Sequence, residues 1–383
     1  MKIKRCVMFA VSVCLCVLLI SFNILPNVRN TEDNTSNDKQ VKRNQNWDIY
    51  VRENPPDKHT VETNSTSRYL IYHCGGSGIC GGWTDRLKGI VTGYILSTLT
   101  NRKFGIRITD IPCNLSSIIQ PNIINWDFNP VLKKSSISNH FYVGSTQFYS
   151  NIKEMDFNVE FKKPIVYFRA NLDYVDGLKQ NKLYNTQLSW MKHLSRDQVY
   201  AKIIKELFTL APDSQKLIDT FMKIALPSEK HKLVCAHVRR GRNPTIPNDS
   251  QVRVSDEDVL HVWKFLLHYN NPNIYRIFFT SDSESDVTRA RNLFPDQMVD
   301  NKGQIIHFER ASGQRDCEGF RKVVVDQQIL MKCDVLMISF SGFSRMAAYV
   351  RGKDDDTFCL LRNHTGIIPC RPSTMKELYH VTG

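Results

Sequence analysis

The sequence predicts an α/β fold with two domains, joined to a membrane anchor by a flexible stem. The chain has 383 residues, more than one ordinary hydrophobic core contains. Short apolar runs alternate with amphipathic stretches from residue 69 onward. Hydrophobic residues make up 42% of the chain and aromatic residues 10%, which excludes a disordered or collagen-like protein. The predicted divisions are a cytosolic tail at 1–5, an anchor at 6–25, a stem at 26–67, an N-terminal domain at 68–210 and a C-terminal domain at 211–383.

The anchor is predicted from an uncharged apolar segment at 6–25. At about 1.5 Å per residue this segment can cross the roughly 30 Å hydrocarbon layer of a bilayer. Lys2, Lys4 and Arg5 precede it, so the positive-inside rule places the remainder of the chain across the membrane. The alternative is a cleaved signal peptide, which needs a shorter apolar region and an Ala-x-Ala-like site.

The cysteines and glycosylation sequons indicate an oxidising, secretory compartment. Three of the 11 cysteines lie in the anchor, and the rest form an even set that predicts disulfides, with about 105 pairings open. This set is Cys74, Cys80, Cys113, Cys235, Cys317, Cys333, Cys359 and Cys370. The sequons predict N-glycosylation at Asn34, Asn64, Asn114, Asn248 and Asn363.

The first half of the folded region is predicted to begin with a strand, a glycine-rich turn, a helix and a second strand. These are at 69–74, 75–82, 84–101 and 103–108. The segment 112–195 shows little periodicity apart from a strand at 164–170. Helices follow at 195–210 and 213–226.

The second half alternates strands and helices, and its strands are apolar on both faces. The pattern predicts a parallel sheet covered by helices. The strands are predicted at 233–238, 276–281, 304–308, 334–339 and 357–361, and the helices at 256–269, 284–293, 320–332 and 343–350.

The net charge of +13, from 51 basic and 38 acidic residues, suits an anionic ligand. Nucleic acid is disfavoured, because the charge lies in the part of the chain predicted to be lumenal and no recognised RNA or DNA motif accompanies it. Acidic runs at 256–258, 282–284 and 354–356 are interpreted as helix starts and a loop, and no metal site is predicted from them.

Three segments carry the candidate functional residues. The turn at 75–82 contains Gly75, Gly76 and Gly78, and either brings backbone N–H groups to a phosphate or sugar or is a turn pinned by a disulfide of Cys74 and Cys80. At the end of a predicted strand, HVRRGRN places cationic groups where parallel sheets bind ligands. The run FSGFSR at 340–345 starts a helix, and is either a phosphate-binding turn or an ordinary helix cap.

These segments resemble the fucosyltransferase superfamily that includes α1,2-, α1,6- and protein O-fucosyltransferases. The resemblance rests on GGSGICGGWTDRLKGIVTGYILSTLTNRKF, HVRRGRN with its HxRR motif, FFTSDSES and VVVDQQILMKCDVLMISFSGFSRMAAYV, in that order, and spans about residues 69 to 361. It implies a GT-B fold with two Rossmann-like domains, a GDP-fucose donor, no metal or other cofactor, and inversion at the anomeric carbon. The acceptor is then expected on the N-terminal half.

The resemblance also implies roles for individual residues. Arg239 would hold the β-phosphate with His237 beside it, and Arg240 would support the loop or the sugar. Asp326 would read the guanine edge, and Asp282 matches an acidic residue at a strand end. The remaining implied contacts to the nucleotide sugar are Gly75, Gly76, Gly78, Ser341, Gly342, Phe343 and Ser344.

The sequence departs from the family pattern after Arg240. Arg242 and Asn243 stand where an aspartate is usual, and the nearest carboxylate that could act as general base is Asp249, next to the Asn248 sequon. Its rivals for that role are Asp85 and Asp256.

Together these features predict a Golgi type II membrane enzyme that transfers L-fucose to a glycan or glycoprotein in α1,2 or α1,6 linkage. The alternatives are a lumenal sulfotransferase, which would need a P-loop-like turn that the glycine spacing does not match, and a glycan-binding protein that keeps the fold without catalysis.

Overall fold

The computed structural model describes residues 67–75, 78–111, 113–128, 134–306, 317–361 and 366–379. The predicted tail, anchor and nearly all of the stem lie outside these residues, as do Gly76, Asn34, Asn64 and Asn363. In the part that is described, no helix is both long enough and apolar enough to cross a membrane. The anchor therefore stays a prediction.

The N-terminal half is built on a parallel sheet of four strands. They are β1 (Tyr69–Cys74), β2 (Lys103–Ile108), β4 (Ile137–Phe141) and β5 (Ile165–Arg169), in the order β2-β1-β5-β4. Helix α1 (Trp83–Leu99) covers one face of this sheet. A Cβ at Gly89 would lie 2.0 Å from the carbonyl oxygen of Ala170, so glycine is required where the helix approaches.

The C-terminal half is built on a second sheet with five strands. They are β7 (Lys232–Val238), β8 (Tyr275–Ser281), β9 (Val335–Ile338), β10 (Thr357–Leu360) and β11 (Ile367–Pro369), in the order β11-β10-β9-β7-β8. All neighbours are parallel except β11, which pairs antiparallel with β10. Its helices are α8 (Asp256–Leu267), α9 (Glu284–Leu293), α10 (Cys317–Leu330) and α11 (Gly342–Arg351). The predicted α/β class is confirmed.

The remaining elements are short or join the two sheets. They are β3 (Ile119–Pro121), α2 (Thr146–Asn151), α3 (Phe157–Glu160), α4 (Val175–Lys179), α5 (Ser189–Lys192), α6 (Arg196–Leu207), β6 (Phe208–Leu210), α7 (Pro212–Ala225) and α12 (Met375–Leu378). Strands β3 and β6 form a small antiparallel pair.

The prediction of a strand at 304–308 is wrong for residues 304–306, which the structure describes and which form no strand. The edge position beside β8 is taken by the segment 297–299. The N–H of Ile277 in β8 donates to the carbonyl of Gln297 at 2.9 Å, and its carbonyl accepts from the N–H of Val299 at 2.8 Å. Ile305 and Ile306 instead line a cleft.

The eight cysteines beyond the anchor form four disulfides, which confirms the prediction that they pair. The pairs are Cys74–Cys80, Cys113–Cys317, Cys235–Cys333 and Cys359–Cys370. Cys113–Cys317 ties the N-terminal half to the first residue of α10, across a sequence separation of 204.

The described residues belong to one compact unit, and its largest hydrophobic core runs through both halves. Tyr200 of α6 packs on Tyr349 of α11, with ring centroids 5.9 Å apart. The buried Nε1 of Trp83 donates to Oε1 of Gln327 at 3.0 Å, which joins the start of α1 to α10. The domain division at residue 210 stays a prediction.

Candidate active site

A cleft of about 350 Å³ lies at the carboxyl ends of strands β7, β8 and β9, facing the start of α1. Ligands of open parallel sheets bind at this edge, because the loops that follow the strands meet there. The cleft is lined by 82–85, Lys88, His237, Arg239, Asp249, Arg253, 280–282, 304–306, Lys322, Val323, Asp326, 340–343 and Arg345.

Arg239 follows β7 directly, and two carboxylates hold its side chain. Its guanidinium donates to Asp282 and to Asp249, whose side chain is fully buried. Its backbone N–H donates to Oγ of Ser339 at 2.9 Å, which fixes the loop against the end of β9. The arginine is therefore held in one orientation and its charge is largely balanced.

Asp282 organises the loop that contains Arg239. Its carboxylate accepts from the backbone N–H of Arg240 at 2.6 Å and of Gly241 at 3.0 Å. Gly241 has φ of 77°, and a Cβ there would lie 2.1 Å from the carbonyl oxygen of Gln251. Asn243, at the position where the family pattern differs, donates to the carbonyls of Gly241 at 2.8 Å and Asp282 at 3.2 Å.

Arg240 does not line the cleft. Its guanidinium donates to the carbonyl of Ser255 at 2.8 Å and to the carboxylate of Asp256, and lies 3.3 Å from that of Asp286. The structure places this arginine behind the loop, at the start of α8, where it supports the loop.

His237 is buried beneath the cleft beside α11. Its Nδ1 forms a 2.8 Å hydrogen bond with Oγ of Ser344, which has no exposed surface. Burial, and then the charge of Arg239, lower the pKa of His237 to about 3. The imidazole is therefore neutral near neutral pH, and Ser344 contacts it rather than the cleft.

The amino end of α11 opens into the cleft. Ser341 caps the helix, and its Oγ accepts from the backbone N–H of Phe343 at 3.3 Å. Ser341, Gly342 and Phe343 all line the cleft, and Arg345 lies one turn further on. Free N–H groups and the helix dipole make such an end favourable for an anion.

Asp326 lies on α10 at the side of the cleft and is 5% exposed. It accepts from Oγ1 of Thr280 at 3.0 Å, Nδ2 of Asn301 at 2.6 Å and Nζ of Lys322 at 3.0 Å. These donors hold its carboxylate at a fixed place on the wall of the cleft.

The glycine-rich turn is pinned by the Cys74–Cys80 disulfide. A Cβ at Gly75 would lie 1.9 Å from Oγ1 of Thr109, and one at Gly78 would lie 1.5 Å from Nη1 of Arg169. Both glycines therefore pack against protein atoms and neither lines the cleft. The part of the turn that does reach the cleft begins at residue 82.

Two arginines of the cleft were given no role of their own from the sequence, although Arg345 ends the FSGFSR run. Arg253 and Arg345 line the cleft, and neither has a carboxylate partner among the residues that the structure describes. Nε of Arg253 is also buried without a hydrogen-bond partner. A signal existed for Arg345, which follows the capping Ser341 by one helical turn, but Arg253 stands in an irregular loop with no motif.

The three candidate general bases have different surroundings. The Asp249 side chain is 0% exposed and bound to Arg239, whereas Asp256 is 96% exposed and lies outside the cleft lining. Asp85 lines the cleft with 41% of its side chain exposed, and its carboxylate contacts Lys88 Nζ at 2.8 Å and the Gly82 N–H at 3.2 Å.

The two sequons in the described part of the chain are at the surface. Asn114 and Asn248 are both exposed, and Asp249 points inward from the next position. A glycan on Asn248 would therefore extend into solvent, away from the buried carboxylate of Asp249.

No family model matches the chain, and no curated protein matches it either. Among solved structures, a mutant of Arabidopsis thaliana FUT1 in complex with GDP matches with a TM-score of 0.55 and 10% identity, over 84% of this chain and 79% of that one. NodZ α-1,6-fucosyltransferase soaked with GDP-fucose matches with a TM-score of 0.47 and 13% identity, over 79% and 99%. Fucosyltransferase NodZ from Bradyrhizobium gives a TM-score of 0.44 and 13% identity, over 75% and 93%. The likeness to FUT1 concerns the fold.

Proposed function

We propose that this protein is a GT-B fucosyltransferase that transfers L-fucose from GDP-fucose to a glycan or glycoprotein with inversion. The observation that carries the proposal is the cleft, where two arginines without described carboxylate partners lie beside an open helix end and opposite an accessible carboxylate. The fold likeness to the GDP complex of FUT1 supports the choice of nucleotide.

The diphosphate of the donor would lie against the amino end of α11. The backbone N–H of Gly342, in the first turn of the helix, can donate to its oxygens, and Arg345 can form charge-assisted bonds to them. Arg253 supplies a second positive charge. Arg239, already held by two aspartates, would present a fixed donor edge that stabilises the charge developing on departing GDP. Asp326 is the proposed contact to guanine.

Asp85 is the proposed general base. Its carboxylate would take the proton from an acceptor hydroxyl as that oxygen attacks the anomeric carbon of fucose. The bond from this carbon to the β-phosphate oxygen breaks at the same time, and GDP leaves with the electron pair. Asp249 then has a positioning role, because it is buried and bound to Arg239.

Linkage type, metal independence and a type II placement in the Golgi membrane complete the proposal. They are supported only by the sequence: the HxRR resemblance, the apolar segment at 6–25 and the sequons.

An Asp85→Asn variant tests the proposed reaction. The amide keeps an acceptor for the Gly82 N–H but cannot take a proton, so we expect a loss of about 10²- to 10⁴-fold in kcat. The measurement is transfer of labelled fucose from GDP-fucose to a panel of glycans, with GDP affinity recorded in parallel and expected to remain unchanged.

Asp354→Asn, in a loop outside the cleft, is the matched control and should keep wild-type transfer. Near-wild-type activity of Asp85→Asn would rule out Asp85 as the base. Absence of transfer by the wild-type protein across the panel, with GDP still bound, would favour a glycan-binding protein without catalysis.

A further inference from the structure

The carboxyl ends of the N-terminal strands carry a second group of side chains, named here the N-terminal platform: His73, Arg107, Phe141 and Tyr167. His73 and Arg107 are one residue from the ends of β1 and β2, and Phe141 ends β4. Parallel sheets bind ligands at this edge, and none of the four residues lines the cleft described above.

The platform is aromatic and partly open to solvent. The rings of His73 and Tyr167 are stacked, with centroids 4.6 Å apart and planes 8° apart, and Phe141 lies 6.5 Å from His73 at 19°. Phe141 is 45% exposed. Rigid, partly exposed rings of this kind offer a large apolar contact area at a low cost in conformational entropy.

The platform is also positively charged. Nη1 of Arg107 donates to the hydroxyl of Tyr167 at 3.2 Å, and the guanidinium of Arg169 lies 4.3 Å from the centre of the Phe141 ring. Among the described residues neither arginine pairs with a carboxylate. The nearby Asp110 is bound to Arg86, with both oxygens within 2.8 Å of the guanidinium.

The pKa of His73 reflects the same charge. Burial lowers it first, and Arg169 and Arg107 lower it further. His73 is therefore neutral near neutral pH, and the exposed positive charge of the platform resides on Arg107. Arg169, beside the platform, is buried, and its guanidinium donates to the carbonyls of His73 and Gly75.

The platform adjoins the cleft along the chain. His73 is followed by the disulfide-pinned turn, and the end of this turn enters the cleft at residue 82.

We propose that the N-terminal platform binds an acidic acceptor glycan, with a sugar ring against Phe141 and a carboxylate or sulfate group at Arg107. That this glycan is the acceptor rests on the proposed function, whereas binding of the glycan does not depend on transferase activity. The apolar face of a pyranose suits the exposed ring, and the free positive charge selects an acidic sugar over a neutral one.

The test is calorimetric titration of the purified protein, without donor, with lactose, 3′-sialyllactose and 3′-sulfolactose. We expect both acidic sugars to bind at least tenfold more tightly than lactose. Phe141→Ala should weaken all binding about tenfold or more, whereas Arg107→Gln should reduce the two acidic sugars to the affinity of lactose. Comparing the two acidic ligands distinguishes a carboxylate from a sulfate preference.

Val159→Ala and Lys153→Gln remove an exposed apolar and an exposed cationic side chain of the same half, and should bind as the wild type does. Melting temperatures and GDP affinities of all variants show whether they fold. Equal affinity for neutral and acidic sugars, or wild-type binding by both platform variants, would overturn the proposal. If the wild-type protein does not bind GDP but binds the acidic sugars, the result would refute the proposed function and support the platform as a glycan-binding site.

Discussion

At the scale of single residues, the ion pairs inside the cleft determine which charged side chains can contact a ligand. The resemblance at HVRR implied that Arg239 holds a phosphate and that Arg240 supports the loop or the sugar. The structure holds Arg239 between two aspartates and turns Arg240 toward α8. Side chains alternate between the two faces of an extended chain, so adjacent arginines at a strand end separate. The sequence could indicate the strand end, whereas the pairing depends on loops that contact each other only in the folded protein.

The buried imidazole of His237 leads to a prediction about pH. Its pKa of about 3 in the folded protein lies below the ordinary value of 6.5, so between these values the unfolded chain binds a proton that the folded protein does not. Stability contributed by neutral His237 is therefore complete above pH 6.5 and decreases as the pH falls toward 3. We expect His237→Gln to lose less unfolding free energy than the wild type between pH 6.5 and 4.5.

Urea denaturation at the two pH values measures this difference. His268→Gln, at an exposed histidine, controls for removal of one imidazole. A pH slope in His237→Gln equal to that of the wild type would mean that the imidazole is not held neutral by burial.

At the scale of elements, the disulfides decide which segments stay together. In the chain-entropy model a bridge across 204 residues contributes at most about 5 kcal/mol, and one across 11 residues about 3 kcal/mol. We therefore expect Cys113→Ser/Cys317→Ser to lower the melting temperature more than Cys359→Ser/Cys370→Ser does. Thermal unfolding followed by circular dichroism compares the two double variants.

The larger decrease should be accompanied by weaker binding in the cleft, because Cys317 begins the helix that carries Asp326. An equal or smaller decrease for the Cys113 and Cys317 pair would contradict the view that this bridge holds α10 against the N-terminal half.

Elements with strong local signals were predicted well. β1, β2 and α9 have the predicted bounds, because apolar periodicity and caps define them locally. The strand at 304–308 failed for a non-local reason, since the edge of β8 was already occupied by 297–299. The parallel partners of 137–141 were also beyond prediction, because that strand contains few apolar residues and joins the sheet through β5.

At the scale of the whole molecule, the cleft lies at the carboxyl ends of the parallel strands of the second sheet, and the platform lies toward the carboxyl ends of the first sheet. The α/β class and the general place of the cleft followed from alternating strands and helices. The shared core did not, because contacts such as Trp83 with Gln327 join residues 244 positions apart. The position of Arg253 in the cleft was not predicted either, because its loop reaches the cleft only in the folded protein.

We propose that the cleft recognises GDP through arginines that have no carboxylate partner among the described residues. The most direct measurement is the shift in melting temperature of the protein with GDP, UDP, CMP and adenosine 3′,5′-bisphosphate, for the wild type, Arg345→Ala and the control Arg291→Ala. Arg291 is exposed and pairs with Asp300 outside the cleft. A ligand that binds only the folded state raises the melting temperature, and the loss of a charge-assisted bond should weaken affinity about 10- to 100-fold.

We expect a shift with GDP that exceeds those of the other nucleotides, persists in Arg291→Ala and largely disappears in Arg345→Ala. No shift with GDP, or a larger shift with another nucleotide, would contradict the proposal. A preference for adenosine 3′,5′-bisphosphate in particular would point to a sulfotransferase.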